Sequence, residues 1–144
     1  MFSMTQKVRM YDTDAAQLLF FGNQFRFIND VFEEFLEAIG YPTQSMFQSD
    51  FAVLFVHAQS DYLAPLCVGD VIEITLQVTE IGTSSFTVSY KIARKCDACM
   101  VGKGKSVHVV VDKQTKKKTA IPDTLRKRLN TFIEPLKGDV SEGA

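Results

Sequence analysis

Two carboxylates stand close together near the amino end of the chain, where Asp12 and Asp14 precede a long segment of apolar periodicity. The ordinary role of acids at such a position is to cap the following helix and to oppose its dipole. A carboxylate beside a helix start could also attack a carbonyl carbon, or activate water to do so, while free backbone N–H groups stabilise the oxyanion. These groups would suffice to hydrolyse an ester or a thioester. From the residues alone, both interpretations stay open.

The common nucleophile arrangements are absent from the sequence. No Gly-x-Ser-x-Gly elbow occurs, and both histidines, His57 and His108, fall in predicted strands. His108 alternates with Val107, Val109 and Val111, so we expect it on the face opposite these valines. We therefore interpret both histidines as ordinary strand residues.

Two short motifs also have ordinary explanations. The sequence GKS at residues 104–106 resembles the end of a phosphate-binding loop, but Cys99 stands where that pattern needs glycine, and a Val-rich strand follows. Cys96 and Cys99 form a C-x-x-C pair at a predicted hairpin turn, without the second pair of ligands that a structural zinc site needs. We expect reduced loop thiols, no metal and no organic cofactor.

The elements that must position these residues follow from hydrophobic periodicity. Apolar residues recur at helical spacing across residues 22–39, and Gly40 and Pro42 then supply a C-cap and a stop. This pattern predicts one long amphipathic helix. Its apolar face comprises Phe25, Ile28, Val31, Phe32, Phe35, Leu36 and Ile39.

After Pro42 the period changes to two, which is typical of half-buried strands. Glycine at position 82 and the polar residues 95–98 mark two short turns, and such short connections force antiparallel pairing. The predicted strands cover about residues 5–11, 52–62, 72–79 and 86–92, and a further strand after the second turn runs through Val107, Val109 and Val111. A short final helix follows Pro122.

One long apolar helix against an antiparallel sheet of about five strands is an α+β layer architecture. A strand and helix followed by a four-strand meander around that helix is the arrangement called the hotdog fold. We predict a single hotdog domain over residues 1–136, with residues 137–144 as a polar, frayed tail.

Composition excludes several classes of protein. The 144 residues suit one domain, and 16 basic against 17 acidic residues give a net charge of -1, which provides no overall field to hold nucleic acid. The amino terminus lacks the apolar core of an export signal, and no run of about eighteen apolar residues occurs. We expect a cytoplasmic protein that binds neither nucleic acid nor membranes.

The segment at residues 11–21, followed by the long helix, resembles the opening of hotdog acyl-CoA thioesterases, in particular the 4-hydroxybenzoyl-CoA thioesterase family. Each matching piece is weak alone, but the set is specific and covers nearly the whole chain. The pieces are YDTDAAQLLFF at 11–21, DYLAP at 61–65, VGD at 68–70, IGTSSF at 81–86, VD at 111–112 and IP at 121–122.

The resemblance implies hydrolysis of an acyl-CoA thioester, with Asp14 as nucleophile or general base. It also implies that the backbone N–H of Phe21, at the helix start, polarises the thioester carbonyl. The chain departs from the family at Gln17, where glycine is usual, and at Phe21, where Tyr or His is common. A backbone donor does not depend on the side chain at position 21.

The resemblance also bears on binding partners. CoA phosphates bind near the surface in this family, and we expect Arg94, Lys95 and Lys103 as their partners here. The fold implies a homodimer with sheets joined edge to edge and active sites between subunits, often paired into tetramers. An open sheet edge favours such association.

Two questions stay open from the sequence. The acyl group could be aryl or aliphatic, because a Phe-rich chain suits both. The alternative to an enzyme is a non-catalytic hotdog module that binds acyl-CoA or acyl-carrier protein, and turnover would separate the two. A hotdog dehydratase would need a histidine on the long helix. Residues 22–39 contain none, which counts against a dehydratase.

Overall fold

In the computed structural model, which describes residues 1–133, one long helix packs against a five-stranded antiparallel sheet. The predicted α+β hotdog arrangement is confirmed. The predicted tail, residues 137–144, lies outside the described residues. In chain order the elements are β1 (Phe2–Lys7), a 3-10 turn (Met10–Asp12), α1 (Asn23–Ala38), α2 (Thr43–Gln48), β2 (Phe51–Tyr62), β3 (Val71–Ile81), β4 (Ser85–Arg94), β5 (Cys99–Asp112) and α3 (Asp123–Asn130).

The strands are ordered β1-β3-β4-β5-β2 across the sheet, and every pairing is antiparallel. Strands β3, β4 and β5 form a meander, but the expected four-strand meander is wrong because β2 pairs with β5 at the far edge. The connection at residues 63–70 explains the difference. Eight residues can span about 26 Å, enough to pass from one edge strand to a strand three positions away.

Helix α1 confirms the predicted long helix, and Gly40 just beyond it has a φ of 91°. This positive φ lies in the left-handed region that favours glycine, and Gly40 ends the helix as predicted. The prediction of the apolar face is wrong for one residue, because Phe25 is 40% exposed while Gln24 and Phe27 are buried. Phe25 lies in the first turn of the helix, at the end of the buried stripe, where its ring is only partly covered.

Two short segments differ from the sequence prediction. The first strand ends at Lys7, because Arg9 and Asp12 close a turn: the Asp12 carboxylate accepts the Arg9 N–H at 2.8 Å, and the Asp12 N–H reaches the Arg9 carbonyl at 2.9 Å. Helix α2 was not predicted. None of its six residues is buried, so it carries no hydrophobic periodicity.

The face of β5 that packs beneath the helix is opposite to the expected one. Ser106, His108 and Val110 are fully buried, whereas Val107 and Val111 are only half-buried, and Val109 is buried with 9% of its surface exposed. His108 faces the helix because its ring stacks on Phe32 of α1, with the two ring centroids 4.2 Å apart. The histidine therefore belongs to the core.

Candidate functional site

Residues 13–19 form a small hairpin directly before the turn that leads into α1. The Asp14 N–H donates to the Leu18 carbonyl at 2.9 Å, and the Gln17 N–H donates to the Asp14 carbonyl at 2.9 Å. Gln17 adopts a φ of 66°, in the left-handed region that glycine favours. The loop therefore has the conformation expected of a glycine at this position, although a glutamine occupies it.

The Asp14 side chain is exposed at the base of this hairpin. One carboxylate oxygen, Oδ1, accepts the Ala16 N–H at 2.8 Å. The other oxygen accepts no hydrogen bond from any of residues 1–133. Asp14 is thus oriented by one bond and keeps an oxygen free for chemistry.

Asp12, two residues earlier, has a different environment. Its side chain is 1% exposed and forms an ion pair with Arg26 of α1. Its carbonyl accepts the Phe20 N–H at 2.9 Å and the Asn23 side-chain amide at 2.8 Å. Asp12 therefore holds the hairpin and the helix start together and has no carboxylate surface to offer a substrate.

The turn at residues 20–23 leaves two backbone donors free. The Asn23 N–H closes the turn on the Phe20 carbonyl at 2.8 Å. Within the described part of the chain, the N–H groups of Phe21 and Gly22 donate to no acceptor. Phe21 is 65% exposed, so these donors lie at a solvent-accessible helix start. Such groups favour a developing negative charge on oxygen.

Two residues that connect this turn to the sheet were missed by the sequence analysis. The Tyr62 hydroxyl, at the end of β2, donates to the Phe21 carbonyl. Gln24 is buried and donates to the Ser60 hydroxyl and, at 2.9 Å, to the Asp61 carbonyl. Gln24 could have been noticed as a polar residue on the buried side of the helix. Nothing in the local sequence marks Tyr62.

Two open, partly apolar clefts flank the hairpin, and Leu18 borders both. The first has a volume of about 390 Å³ and the second about 510 Å³. An acyl group beside the helix start could lie in either. The first cleft is lined by Leu18, Leu19, Phe21, Tyr62, Leu63, Ala64, Pro65 and Leu66, and the second by Met10, Thr13, Ala16, Gln17, Leu18, Cys67 and Val68.

The three cations expected to bind phosphates differ in how far they are already paired. Arg94 contacts both carboxylate oxygens of Asp97, at 3.1 and 3.2 Å, and donates to the Pro65 carbonyl at 3.0 Å. The hydrogen bonds that Arg94 donates to Asp97 raise the pKa of Arg94 and lower the pKa of Asp97. Lys95 and Lys103 are exposed.

Two kinds of feature were sought in residues 1–133: clusters of metal-ligand side chains and membrane-spanning helices. Three or more His, Cys, Asp or Glu side chains are nowhere grouped so that they could hold a metal ion there. None of the helices in that range has the length and apolar character needed to cross a membrane.

Comparison with known proteins places the chain in a family. The model of the thioesterase-like superfamily matches residues 8–129, and the chain belongs to that superfamily. The predicted class, a thioester hydrolase, is thereby confirmed. The sequence resemblance to hotdog thioesterases is confirmed as well.

Particular relatives can be named within that class. The chain is 30% identical to a 1,4-dihydroxy-2-naphthoyl-CoA hydrolase of Rippkaea orientalis, covering 88% of this chain and 94% of that protein. It is 32% identical to a protein of the same name from Nostoc punctiforme, covering 95% and 92%. A 1,4-dihydroxy-2-naphthoyl-CoA thioesterase from Synechocystis has a similar structure, with a TM-score of 0.85 and 25% identity over 90% of this chain and 95% of that one.

Proposed function

We propose that this protein hydrolyses an aryl-CoA thioester to the free acid and CoA. The observation that carries the proposal is that an exposed carboxylate, Asp14, precedes a turn at residues 20–23 that contains unpaired backbone N–H groups. The aryl preference is supported by the relatives that are named as 1,4-dihydroxy-2-naphthoyl-CoA hydrolases. Phe21 and Tyr62 border one cleft and offer aromatic surface for such an acyl group.

In the proposed mechanism, the Phe21 N–H donates to the thioester carbonyl and stabilises the oxyanion that forms there. Asp14 acts as nucleophile or general base. As a nucleophile it would form an acyl anhydride and release the CoA thiolate, and water would then hydrolyse the anhydride. As a general base it would take a proton from the water that attacks the carbonyl carbon. Both routes give the acid and CoA.

Replacing Asp14 with Asn tests the carboxylate. Asn keeps the size of Asp and can still accept the Ala16 N–H, but it supplies neither a base nor an anionic nucleophile. We expect kcat to fall about 100-fold or more, with the melting temperature unchanged. The assay mixes the protein with 1,4-dihydroxy-2-naphthoyl-CoA, benzoyl-CoA and an aliphatic acyl-CoA and measures free thiol. Near-full hydrolysis by Asp14→Asn would remove Asp14 from the mechanism.

Asp12→Asn provides the contrasting variant. Because Asp12 is buried against Arg26, its replacement should lower the free energy of unfolding by about 2 kcal/mol. At a temperature well below its unfolding transition, its kcat should fall much less than that of Asp14→Asn. Equal losses of kcat in the two variants would show that the turn, and not the Asp14 carboxylate, was disturbed.

The same assay decides between the enzyme and the alternative of a non-catalytic acyl-CoA or acyl-carrier-protein binding module. Binding of acyl-CoA without release of thiol by the wild-type protein would favour the module. Faster turnover of aliphatic than of aryl thioesters would contradict the proposed substrate class.

For the CoA phosphates, we propose Lys103 and Lys95 as the available partners, with Arg94 engaged by Asp97. Lys103→Gln and Lys95→Gln should each raise KM several-fold and leave kcat nearly unchanged, the pattern of lost uniform binding. Arg94→Gln should leave KM within about twofold. If KM rose in Arg94→Gln alone, Arg94 would be the residue that binds the phosphates.

We also propose that the protein works as a dimer or tetramer joined through β2. This strand is an edge of the sheet, and its exposed residues Leu54, Phe55 and Val56 are apolar. An apolar open edge favours pairing with a second copy. Light scattering should give a multiple of the 16.2 kDa chain mass, and a monomer at micromolar concentration would contradict a site shared between subunits.

A further inference from the structure

The Tyr62 side chain joins the edge strand of the sheet to the turn that is proposed to bind the thioester carbonyl. Its hydroxyl donates to the Phe21 carbonyl, 41 residues away in sequence. The only other donor to that carbonyl among the described residues is the Gln24 N–H, at a long 3.4 Å. Tyr62 is therefore the principal partner of this carbonyl.

This hydrogen bond acts on a peptide group and not on a side chain. The Phe21 carbonyl and the Gly22 N–H belong to one planar, conjugated unit. A donor at the carbonyl oxygen fixes the orientation of that plane and polarises the N–H at its other end, because hydrogen bonds in a chain strengthen one another. The Gly22 N–H is one of the two free donors of the turn.

The remaining contacts hold the turn from its other sides. The Asp12 carbonyl accepts both the Phe20 N–H, at 2.9 Å, and the Asn23 side chain, at 2.8 Å. Gln24 fastens the first turn of α1 to β2, and it lies so close to Gly102 that a Cβ on that glycine would be 2.8 Å from the Gln24 amide. Without Tyr62, the Phe21–Gly22 peptide would be the one part of the turn with no strong anchor in residues 1–133.

We propose that Tyr62 is a positioning residue for hydrolysis: its hydroxyl holds and polarises the Phe21–Gly22 peptide so that the turn presents its free N–H groups to the thioester carbonyl. This inference rests on the proposed function above. Tyr62 acts through the peptide and does not itself take part in the chemistry. Partial burial raises the pKa of Tyr62, so the hydroxyl stays protonated and able to donate at neutral pH.

Tyr62→Phe tests the inference, because it removes the hydroxyl and keeps the ring that borders the cleft. We expect kcat to fall about tenfold while KM stays within about twofold, since the peptide matters most when charge develops on the carbonyl oxygen. Tyr41→Phe is the matched control: Tyr41 packs against Phe51 and Arg128, away from the turn, and should keep the wild-type kcat. A kcat for Tyr62→Phe within twofold of wild type would overturn the inference.

A second measurement needs no turnover. In ¹⁵N-labelled protein, the Gly22 amide proton should move upfield in Tyr62→Phe and stay in place in Tyr41→Phe, because only the first variant removes the donor to the Phe21 carbonyl. An unmoved Gly22 signal would overturn the inference. A wild-type protein that hydrolyses no acyl-CoA would overturn the proposed function, whereas an active wild type with a fully active Tyr62→Phe variant would overturn only the role of Tyr62.

Discussion

Two regions of the molecule bring together residue types that hydrolases use, and they differ in their access to solvent. Near the helix start, the Asp14 carboxylate is exposed in the hairpin that precedes a turn with two unpaired backbone N–H groups. Beneath α1, three buried side chains form a row: the Tyr90 hydroxyl lies 2.8 Å from Ser106 Oγ, and Ser106 Oγ lies 2.7 Å from His108 Nε2. A serine at hydrogen-bond distance from a histidine is a familiar nucleophile and base.

The buried row is nevertheless closed to any substrate. The His108 ring is fully buried, stacked on Phe32 and Phe86 and met edge-on by Phe55. Burial lowers the pKa of His108 to about 3, so the ring is neutral at physiological pH. Residue types and distances therefore do not define a site by themselves. At the helix start the polar groups are left open to a ligand, whereas the row is enclosed in the core, where the Ser106 hydroxyl bonds to both of its neighbours.

Ser106→Ala tests whether the buried row serves stability or catalysis, and it should have the largest effect on stability. The variant leaves His108 and Tyr90 without their shared partner in the core, which should lower the free energy of unfolding by about 3 kcal/mol. Denaturant unfolding at fixed protein concentration measures this loss. The kcat of the folded variant should stay within twofold of wild type. A 100-fold loss of kcat would make Ser106 and His108 a working pair and remove the distinction between the two regions.

The pH dependence of stability tests how well the row is sealed. The pKa of His108 is about 3 in the folded protein and near 6.5 when unfolded, so the unfolded chain binds more protons between these values. Stability should therefore fall as the pH drops below about 6.5, by about 2 kcal/mol between pH 8 and pH 5.

Two variants isolate the histidine responsible. His108→Gln should flatten the pH dependence between pH 8 and pH 5, whereas His57→Gln, which changes an exposed strand residue, should retain it. Unfolding curves at several pH values provide the measurement. An unchanged slope in His108→Gln would mean that the pKa of His108 is the same in the folded and the unfolded protein, so that the ring is not sealed from water.

The smallest expected effect concerns backbone strain at the open region. Gln17 holds a φ of 66°, which costs a residue with a side chain more than it costs glycine. Gln17→Gly should raise the free energy of unfolding by about 0.5–1 kcal/mol, and Gln17→Ala should give no gain. A gain in Gln17→Ala equal to that in Gln17→Gly would show that the glutamine side chain, and not the backbone conformation, carries the cost.

Much of the fold could be predicted because its signals are local. The apolar period across residues 22–39 gives α1 to within one residue at each end. Alternation over residues 72–79 and 86–92 gives β3 and β4, with the turn at Gly82 between them. Helix α2 escaped prediction because it buries no residue, and a helix without a buried face leaves no hydrophobic pattern in the sequence.

The candidate site was predictable only in part. The pair of acids Asp12 and Asp14 follows from its place before the helix, whereas the roles of Asp14 and Phe21 are what the family resemblance implies. The contrast between Asp12 and Asp14 does not follow from either. It depends on Arg26, which reaches back from α1 to bury and neutralise Asp12 and leaves Asp14 in solvent.

The sequence by itself determined the central helix, the antiparallel strands and an acid at the helix start, because each depends on residues within about one helical turn or one hairpin of one another. Three features depend on tertiary contacts instead: which acid is free, which face of β5 is buried and where the helix start is anchored. These outcomes rest on contacts between distant segments: Tyr62 bonds to Phe21 across 41 residues. A partner so far away in the chain leaves no periodic or local signal, so its identity appears only once the sheet has brought the two segments together.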